Sequence, residues 1–197
     1  TDARSPRPAY ARTVRQSGGA IAKVLVFLVL AALVVSVGLY AYGNFQQPLT
    51  MDALTPAPAN AGPGRTVQLD GNGELRVATV VRNDGRLPVT IEGVDPSGAT
   101  TDPLVVTSLE LGDGADPSAA AVFSPVSLDR GAGVGVVLTF GVNPDFPCDR
   151  LTGDAGAQPL PPVTLRFSSY GVDGTQMIVA DHPPSVTGLT RSVCEAA

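Results

Sequence analysis

The sequence lacks tryptophan and contains one histidine, one lysine and two cysteines among 197 residues. Without tryptophan, the tryptophan-centred core of antibody domains is excluded. A Ser-His-Asp mechanism would have to use the single histidine, His182, but no G-x-S-x-G elbow accompanies it. We therefore expect His182 to lie exposed in a loop, and we expect a protein that is not an enzyme and has no cofactor.

Charge is missing from one long stretch, the twenty residues Val24–Gly43. A helix of that length extends about 30 Å, the thickness of the bilayer hydrocarbon. Lys23 at one end and Tyr40 and Tyr42 at the other suit the two membrane interfaces. We predict a transmembrane helix over residues 20–43. A cleaved signal, with its apolar region of roughly 7–15 residues, is the less favoured alternative.

Basic residues are also missing after the span, where none occurs until Arg65. Residues 1–23 carry a net charge of +4, whereas residues 24–197 carry −9. Positive flanks stay in the cytoplasm, so a cytoplasmic basic tail over residues 1–19 and an extracytoplasmic remainder are expected. An acidic outer domain contacts no nucleic acid. Because the chain begins with Thr1, a missing upstream cytoplasmic segment remains an open alternative.

The two cysteines, Cys148 and Cys194, both follow the span. In an oxidising compartment, a pair of exported cysteines forms a disulfide in most cases. A redox site would need a C-x-x-C motif, and a metal site would need further cysteine or histidine ligands. We therefore predict a structural disulfide, which stabilises the fold by about 4 kcal/mol in the loop-entropy description.

Proline is concentrated after the span. Residues 44–64 contain four prolines among small and polar residues, which predicts an extended, semi-rigid linker reaching at most roughly 60 Å. About 130 residues follow this linker, enough for one domain with a single core. We assign residues 65–197 to an extracytoplasmic β-domain.

Alternating apolar residues indicate strands from residue 65 onward. The alternation over Glu74–Arg82, followed by the Asp-Gly pair of Asn83–Arg86, predicts a hairpin with a second strand over Leu87–Ile91. Pro88 would place that second strand at a sheet edge. A further strand over Pro103–Leu111 is expected to present four residues to one face: Val105, Thr107, Leu109 and Leu111.

Seven or eight short strands, with turns every 8–12 residues, predict a mainly β fold that forms an antiparallel β-sandwich. Two motifs carry a resemblance to a known class: Val81-Arg82-Asn83-Asp84-Gly85 with Pro88-Val89-Thr90, and Leu128-Asp129-Arg130-Gly131. Through them the chain resembles single-pass membrane-anchored, actinobacterial-type Ig-like or fibronectin-like bacterial proteins of uncharacterised function. The resemblance covers residues 65–181 and implies an architecture without an activity.

Two acidic loops are candidate cation sites. Asp70-Gly71-Asn72-Gly73-Glu74 spaces its oxygens as a calcium loop does, but Leu75 stands at the glycine position and Val81 at the acidic twelfth position. A turn is the favoured interpretation, both here and for the loop that contains Asp113 and Asp116.

Within the span, Ala32 and Ser36 form a small-xxx-small pair that would let a partner helix approach. Our first functional hypothesis is a membrane-anchored extracytoplasmic interaction or structural module. Its expected partners are the lipid bilayer and another membrane or envelope protein. The alternative hypothesis is an exported ligand- or cation-binding domain that uses the acidic loops.

Overall fold

The computed structural model of the chain describes residues in five ranges: 17–45, 47–62, 65–95, 101–151 and 157–196. The side chains of residues 17–20 and 41–45 are outside that description. The chain divides into two compact units, Thr1–Tyr42 and Gly43–Ala197. The first unit contains most of a long helix, and the second contains a β-domain.

Helix α1, Ser17–Phe45, encloses the predicted span. Its segment Ile21–Tyr40 has a mean hydropathy of 2.7, and none of it is buried against other described residues. Apolar side chains occur all round the helix, with Phe27 and Val34 among the most exposed. This pattern suits contact with lipid on every side. By length and composition α1 is a candidate membrane span, although a signal sequence would pass the same test.

The β-domain contains thirteen strands and one short α-helix among the described residues. The strands are β1 (Leu49–Met51), β2 (Thr55–Pro56), β3 (Thr66–Gln68), β4 (Leu75–Asn83), β5 (Val89–Val94), β6 (Leu104–Gly112), β7 (Ala121–Val122), β8 (Val126–Leu128), β9 (Gly133–Val142), β10 (Gln158–Pro159), β11 (Val163–Ser169), β12 (Val172–Ile178) and β13 (Ser185–Thr187), and the helix is α2 (Arg191–Ala196). The expected count of seven or eight missed β1, β2, β10 and β13. Strands of two or three residues are too short to show alternation.

Two antiparallel sheets contain most of the strands, so the predicted mainly β, antiparallel fold is confirmed. Sheet 1 has the order β1-β4-β9-β6-β7, with β2 also pairing with β4. Sheet 2 has the order β12-β11-β5-β8. A small third sheet has the order β10-β13-β3, and its β3 and β13 run parallel. That parallel pair was not expected from the sequence.

One apolar core lies against both large sheets. Sheet 1 contributes Leu138 and Phe140, and sheet 2 contributes Ile91, Leu165 and Phe167, each at most 3 % exposed. These side chains alternate with more exposed ones along their strands in sheet 2, as period-two patterning requires. Burial of each such side chain stabilises the fold by about 1.5–3 kcal/mol.

The predicted hairpin between β4 and β5 is wrong. Strand β4 pairs with β1, β2 and β9, whereas β5 pairs with β11 and β8. The turn therefore carries the chain from one sheet to the other. Its first residue, Asn83, is fully buried and donates to the carbonyl oxygens of Leu87 at 2.8 Å and Leu128 at 3.0 Å. This amide brings together the two sequence motifs that carried the resemblance.

Strand β5 is not an edge strand, contrary to the expectation from Pro88. It lies between β11 and β8 in sheet 2. Pro88 precedes the first paired residue, Val89, so its missing N–H interrupts no ladder hydrogen bond. Its carbonyl oxygen accepts a hydrogen bond from the Ser169 hydroxyl at 2.8 Å.

Strand β6 contains a bulge, and because of it the predicted set of residues on one face is wrong. The register with β9 shifts between Val106 and Ser108. Before the shift Leu104 is the core residue, at 2 % exposure, and after it Leu109 and Leu111 lie opposite core residues of β9. Thr107 is exposed, so Val105 and Thr107 do not share a face with Leu109. One extra residue changes the phase of the alternation.

Most of the predicted linker 44–64 belongs to the β-domain, so the linker prediction is wrong for residues 47–62. Strands β1 and β2 lie along β4, and Leu49 is 2 % exposed. Asn60 is 3 % exposed and donates to the carbonyl oxygens of Gln68 and Glu74, both at 2.9 Å. Proline is tolerated here because β1 and β2 lie at a sheet edge. Three residues, 46–48, separate α1 from β1.

The C-terminal segment is attached to the long loop after β9. Cys148 and Cys194 form a disulfide, as predicted, with their Cα atoms 5.7 Å apart. Cys148 begins a short 3-10 helix, Cys148–Arg150, and Cys194 lies in α2. Leu151 and Leu160, in the same loop, are buried, so core contacts as well as the disulfide hold this region.

Candidate functional site

The acidic loops already use their carboxylates within their own turns. Asp70 Oδ1 accepts hydrogen bonds from the amides of Asn72 at 2.9 Å and Glu74 at 3.0 Å. Asp113 Oδ1 accepts from the amides of Asp116 at 2.7 Å and Ala115 at 2.8 Å, and these bonds hold the pKa of Asp113 below its usual range. Such contacts are those of Asx turns. The cation-binding alternative stays a prediction.

Asp116 completes the same loop. Its Oδ1 accepts hydrogen bonds from the hydroxyl of Ser118 at 2.6 Å and from the Ser118 amide at 2.8 Å. Together these bonds, the hydroxyl contact first, lower the pKa of Asp116. Among the described residues, no group of three or more histidine, cysteine, aspartate or glutamate side chains lies close enough to hold a metal ion.

His182 lies in an exposed loop, where the sequence placed it. Its side chain is 75 % exposed, and its Nε2 lies 3.7 Å from Oδ1 of Asp181, which is similarly exposed. An ion pair at such an exposed position contributes little to stability. Within the described residues, no serine or cysteine side chain forms a hydrogen bond with His182.

The membrane-helix residues keep the status of predictions. Lys23 and Tyr40 are exposed on α1, and the Tyr42 side chain is outside the description. The hydroxyl of Ser36 donates to the carbonyl oxygen of Ala32 at 2.8 Å, within the same helix. This back-bond satisfies the hydroxyl without a second helix. It leaves the surface at Ala32 and Ser36 available to lipid or to another helix.

A shallow depression of about 400 Å³ lies on the outer face of sheet 2. We call it the sheet 2 depression. It takes side chains from three adjacent strands, and its residues are Glu92 of β5, Arg166 and Phe167 of β11, and Asp173, Gly174 and Thr175 of β12. Because neighbouring strands lie about 4.8 Å apart, residues on these three strands converge on one surface of ligand size.

The pairing of the strands places the charged groups of the depression. Arg166 lies opposite Thr175 on one side and Gly93 on the other. A bulge occurs beside Arg166, where Gly93 has φ = +148°, a conformation that side-chain-bearing residues rarely adopt. A Cβ built on Gly93 would lie 3.5 Å from Nη2 of Arg166. That distance is an ordinary contact, so the backbone conformation at the bulge, and not lack of space, is what requires glycine here.

Arg166 differs from the other two arginines on strands. Arg76 pairs with Glu110 at 2.5 Å, and Arg82 makes a two-nitrogen contact with the carboxylate of Asp52, with Nη2–Oδ2 at 3.0 Å. Arg166 makes no ion pair within the described part of the chain. Its guanidinium thus keeps its donors for solvent or a ligand.

The two carboxylates of the depression are also exposed. Glu92 accepts a hydrogen bond from the hydroxyl of Ser168 at 2.7 Å, which orients one of its oxygens. Sequence reasoning did not select Glu92, Arg166 or Asp173. The available signal was their position at alternate, outward-facing sites of three strands, but strand adjacency cannot be obtained from alternation within each strand.

Comparisons with known proteins yield no family. No family model and no curated protein matches the sequence. Among solved structures, the chain is similar to the apo PCuAC domain of PmoF2 (12 % identity, 68 % of this chain, 90 % of that chain, TM-score 0.34). It is also similar to the apo PCuAC domain of PmoF1 (17 % identity, 69 % of this chain, 95 % of that chain, TM-score 0.32). A further similar structure is that of a FixG-related protein from Vibrio parahaemolyticus (11 % identity, 68 % of this chain, 98 % of that chain, TM-score 0.28). Likeness at this level carries no functional argument.

Proposed function

We propose that this protein is a membrane-anchored, non-enzymatic interaction module. In this proposal α1 crosses the membrane, and the β-domain contacts another membrane protein or an envelope component on the outer side. The observation that carries it is Ile21–Tyr40, twenty residues of helix with a mean hydropathy of 2.7, Lys23 as their one charged residue, and no burial against other described residues. An apolar surface of that size is stable only in lipid or against a partner.

Charge asymmetry supports the orientation. Residues 1–23 contain five basic residues and one acidic residue, and the next basic residue is Arg65. Positive charges near a span stay on the cytoplasmic side, so the N-terminus is inside and the β-domain outside. The disulfide between Cys148 and Cys194 agrees with this orientation, because disulfides persist in oxidising compartments.

We also propose that the β-domain is an Ig-like sandwich, and the strand order supports this. In sheet 1, β1-β4-β9-β6 corresponds to the order A-B-E-D, and in sheet 2, β12-β11-β5 corresponds to G-F-C. Ig-like sandwiches expose loops and sheet faces on which very different binding sites occur. Tyr170, 69 % exposed at the tip of the β11–β12 hairpin, is one such surface residue, and tyrosine is enriched where proteins bind each other.

The test is protease accessibility in spheroplasts of cells expressing the full chain with an epitope tag at each end. External protease should remove the C-terminal tag and leave the N-terminal tag intact. A matched control replaces Arg4, Arg7, Arg12 and Arg15 with glutamine, which weakens the orientation signal and should protect part of the C-terminal tag. Loss of the N-terminal tag with retention of the C-terminal tag would overturn the proposal.

A further inference from the structure

The sheet 2 depression contains hydrogen-bond donors and acceptors on charged side chains that form no ion pair with one another. Arg166 presents up to five N–H donors, while ionised Glu92 and Asp173 only accept. Thr175, directly opposite Arg166, can do both. Arg166 is on β11, between the strands that carry Glu92 and Asp173, and it forms no ion pair with either carboxylate.

The combination of one guanidinium donor, Arg166, with two carboxylate acceptors, Glu92 and Asp173, indicates the class of ligand. An anion at Arg166 would be repelled by Glu92 and Asp173, and a simple cation at the carboxylates could accept no hydrogen bond from Arg166. A neutral molecule with many hydroxyl groups avoids the repulsion and uses both kinds of group, because its hydroxyls accept from the guanidinium and donate to the carboxylates. Charge-assisted hydrogen bonds of both kinds are then made at once.

We infer that the sheet 2 depression binds a neutral, polyhydroxylated ligand, a sugar unit of an envelope glycan. The inference rests on the proposed function, since an outward-facing domain is the one that meets such glycans. The volume of about 400 Å³ lies at the small end of ligand sites and suits one or two sugar rings. Arg166 is assigned the central donor role, and Asp173 and Glu92 the flanking acceptor roles.

Binding is tested with the full chain in lipid nanodiscs, prepared without glycoside detergents that would compete. Isothermal titration calorimetry with cellobiose, maltose and N,N′-diacetylchitobiose should show binding of at least one disaccharide at millimolar concentration. Digalacturonic acid serves as the anionic comparison and should bind more weakly. Absence of binding by all three neutral sugars, or binding of the anionic sugar alone, overturns the inference.

Variants locate the binding. Arg166→Ala and Asp173→Asn should each raise the dissociation constant at least about tenfold, a change of about 1.4 kcal/mol. Arg86→Ala, an exposed arginine outside the depression, is the matched control and should change nothing. If Arg166→Ala does not fold, Thr175→Val serves in its place. Sugar binding that survives these substitutions overturns the assignment to this surface.

The two proposals fail separately. Both faces of a nanodisc are open to solvent, so sugar binding there does not depend on which side of the membrane the domain occupies in cells. A reversed protease pattern with intact sugar binding would overturn the proposed function alone. A correct protease pattern without sugar binding would overturn the ligand assignment alone. A peptide bound in the depression in place of a sugar would also count against the ligand class.

Discussion

Several buried amide side chains in the described part of the chain make hydrogen bonds that join separate backbone segments, among them Asn60, Asn83 and Gln176. Asn60 joins the segment before β3 to the start of β4, and Asn83 joins two turns. Gln176 of β12 accepts from the amide of Leu49 at 2.9 Å and donates to its carbonyl oxygen at 2.6 Å. The Gln176 side chain thus exchanges two hydrogen bonds with the Leu49 backbone, as a paired residue of a neighbouring strand does. These bonds join the edge of sheet 2 to β1 of sheet 1.

Replacing Asn60 tests this role directly. Asn60→Ala removes two donated bonds and one accepted from the Arg76 amide at 3.1 Å, leaving buried backbone groups unsatisfied. We expect a loss of about 3 kcal/mol in the free energy of unfolding, measured by denaturant titration. Asn72→Ala, at an exposed turn position, is the control and should change stability by less than about 0.5 kcal/mol. Equal effects of the two substitutions would contradict this role.

A second residue-scale prediction concerns Gly135 of β9. A Cβ at this position would overlap the backbone of Gly112 and Gly114, which lie against the strand. Gly135→Ala should therefore destabilise the domain by about 1–3 kcal/mol through overpacking. Gly71→Ala, where nothing lies within 4 Å of the new Cβ, should be close to neutral. Thermal melts of the two variants provide the comparison, and a wild-type melt for Gly135→Ala would refute the packing argument.

Acid stability follows from the loop carboxylates. The folded-state pKa of Asp113 is lowered, so its contribution is present above the unfolded value of 3.8 and is lost as the pH falls through the still lower folded value. Stability should therefore decrease below about pH 4. Asp113→Asn should make that decrease shallower, whereas Asp129→Asn, an exposed aspartate elsewhere, should not. Melting temperatures measured across the acidic range would reveal identical slopes if the contribution were absent.

At the scale of elements, the C-terminal segment shows how short pieces are stabilised. Helix α2 has six residues, too few to be stable by itself. It is held by the disulfide and by burial of Leu189, 1 % exposed, just before it. Strand β13 is held by pairing with both β3 and β10. The contacts of this segment are therefore tertiary in origin.

Removing the disulfide should have a large effect. The double variant Cys148→Ser/Cys194→Ser loses a cross-link with a sequence separation of 46, and we expect a loss of about 4 kcal/mol in unfolding free energy. A reducing agent should lower the stability of the wild type to that of the variant and leave the variant unchanged. Denaturant titration of the full chain in micelles measures both. A wild type unaffected by reduction would contradict a stabilising disulfide.

At the scale of the whole molecule, the proposed membrane anchoring depends on α1. Ile21–Tyr40 contains no charged residue except Lys23 near its start. Leu30→Arg places a charge at its centre, which costs about 2.5–3.5 kcal/mol on insertion scales. We expect more of this variant to be released from membranes by alkaline carbonate than of the wild type. Leu30→Ala is the control and should stay with the membrane fraction, and equal release of the two variants would argue against a span.

The sequence by itself determined the apolar helix, the β class, the cysteine pair and the exposed loop position of His182. Each of these follows from local composition or periodicity, which needs no knowledge of distant residues. Alternation within a strand says which side chains share a face, and it says nothing about which strand lies alongside.

Only the tertiary structure decided the partners of each strand. The Asp-Gly turn after Asn83 crosses between sheets, and the buried Asn83 amide holds it there by donating to the carbonyl oxygen of Leu128, 45 residues away in β8. The proline-rich residues 47–62 are ordered because β4 offers them an edge. The sheet 2 depression exists because β5, β11 and β12 are neighbours. These contacts join residues far apart in sequence, so their energies appear only when the chain is folded.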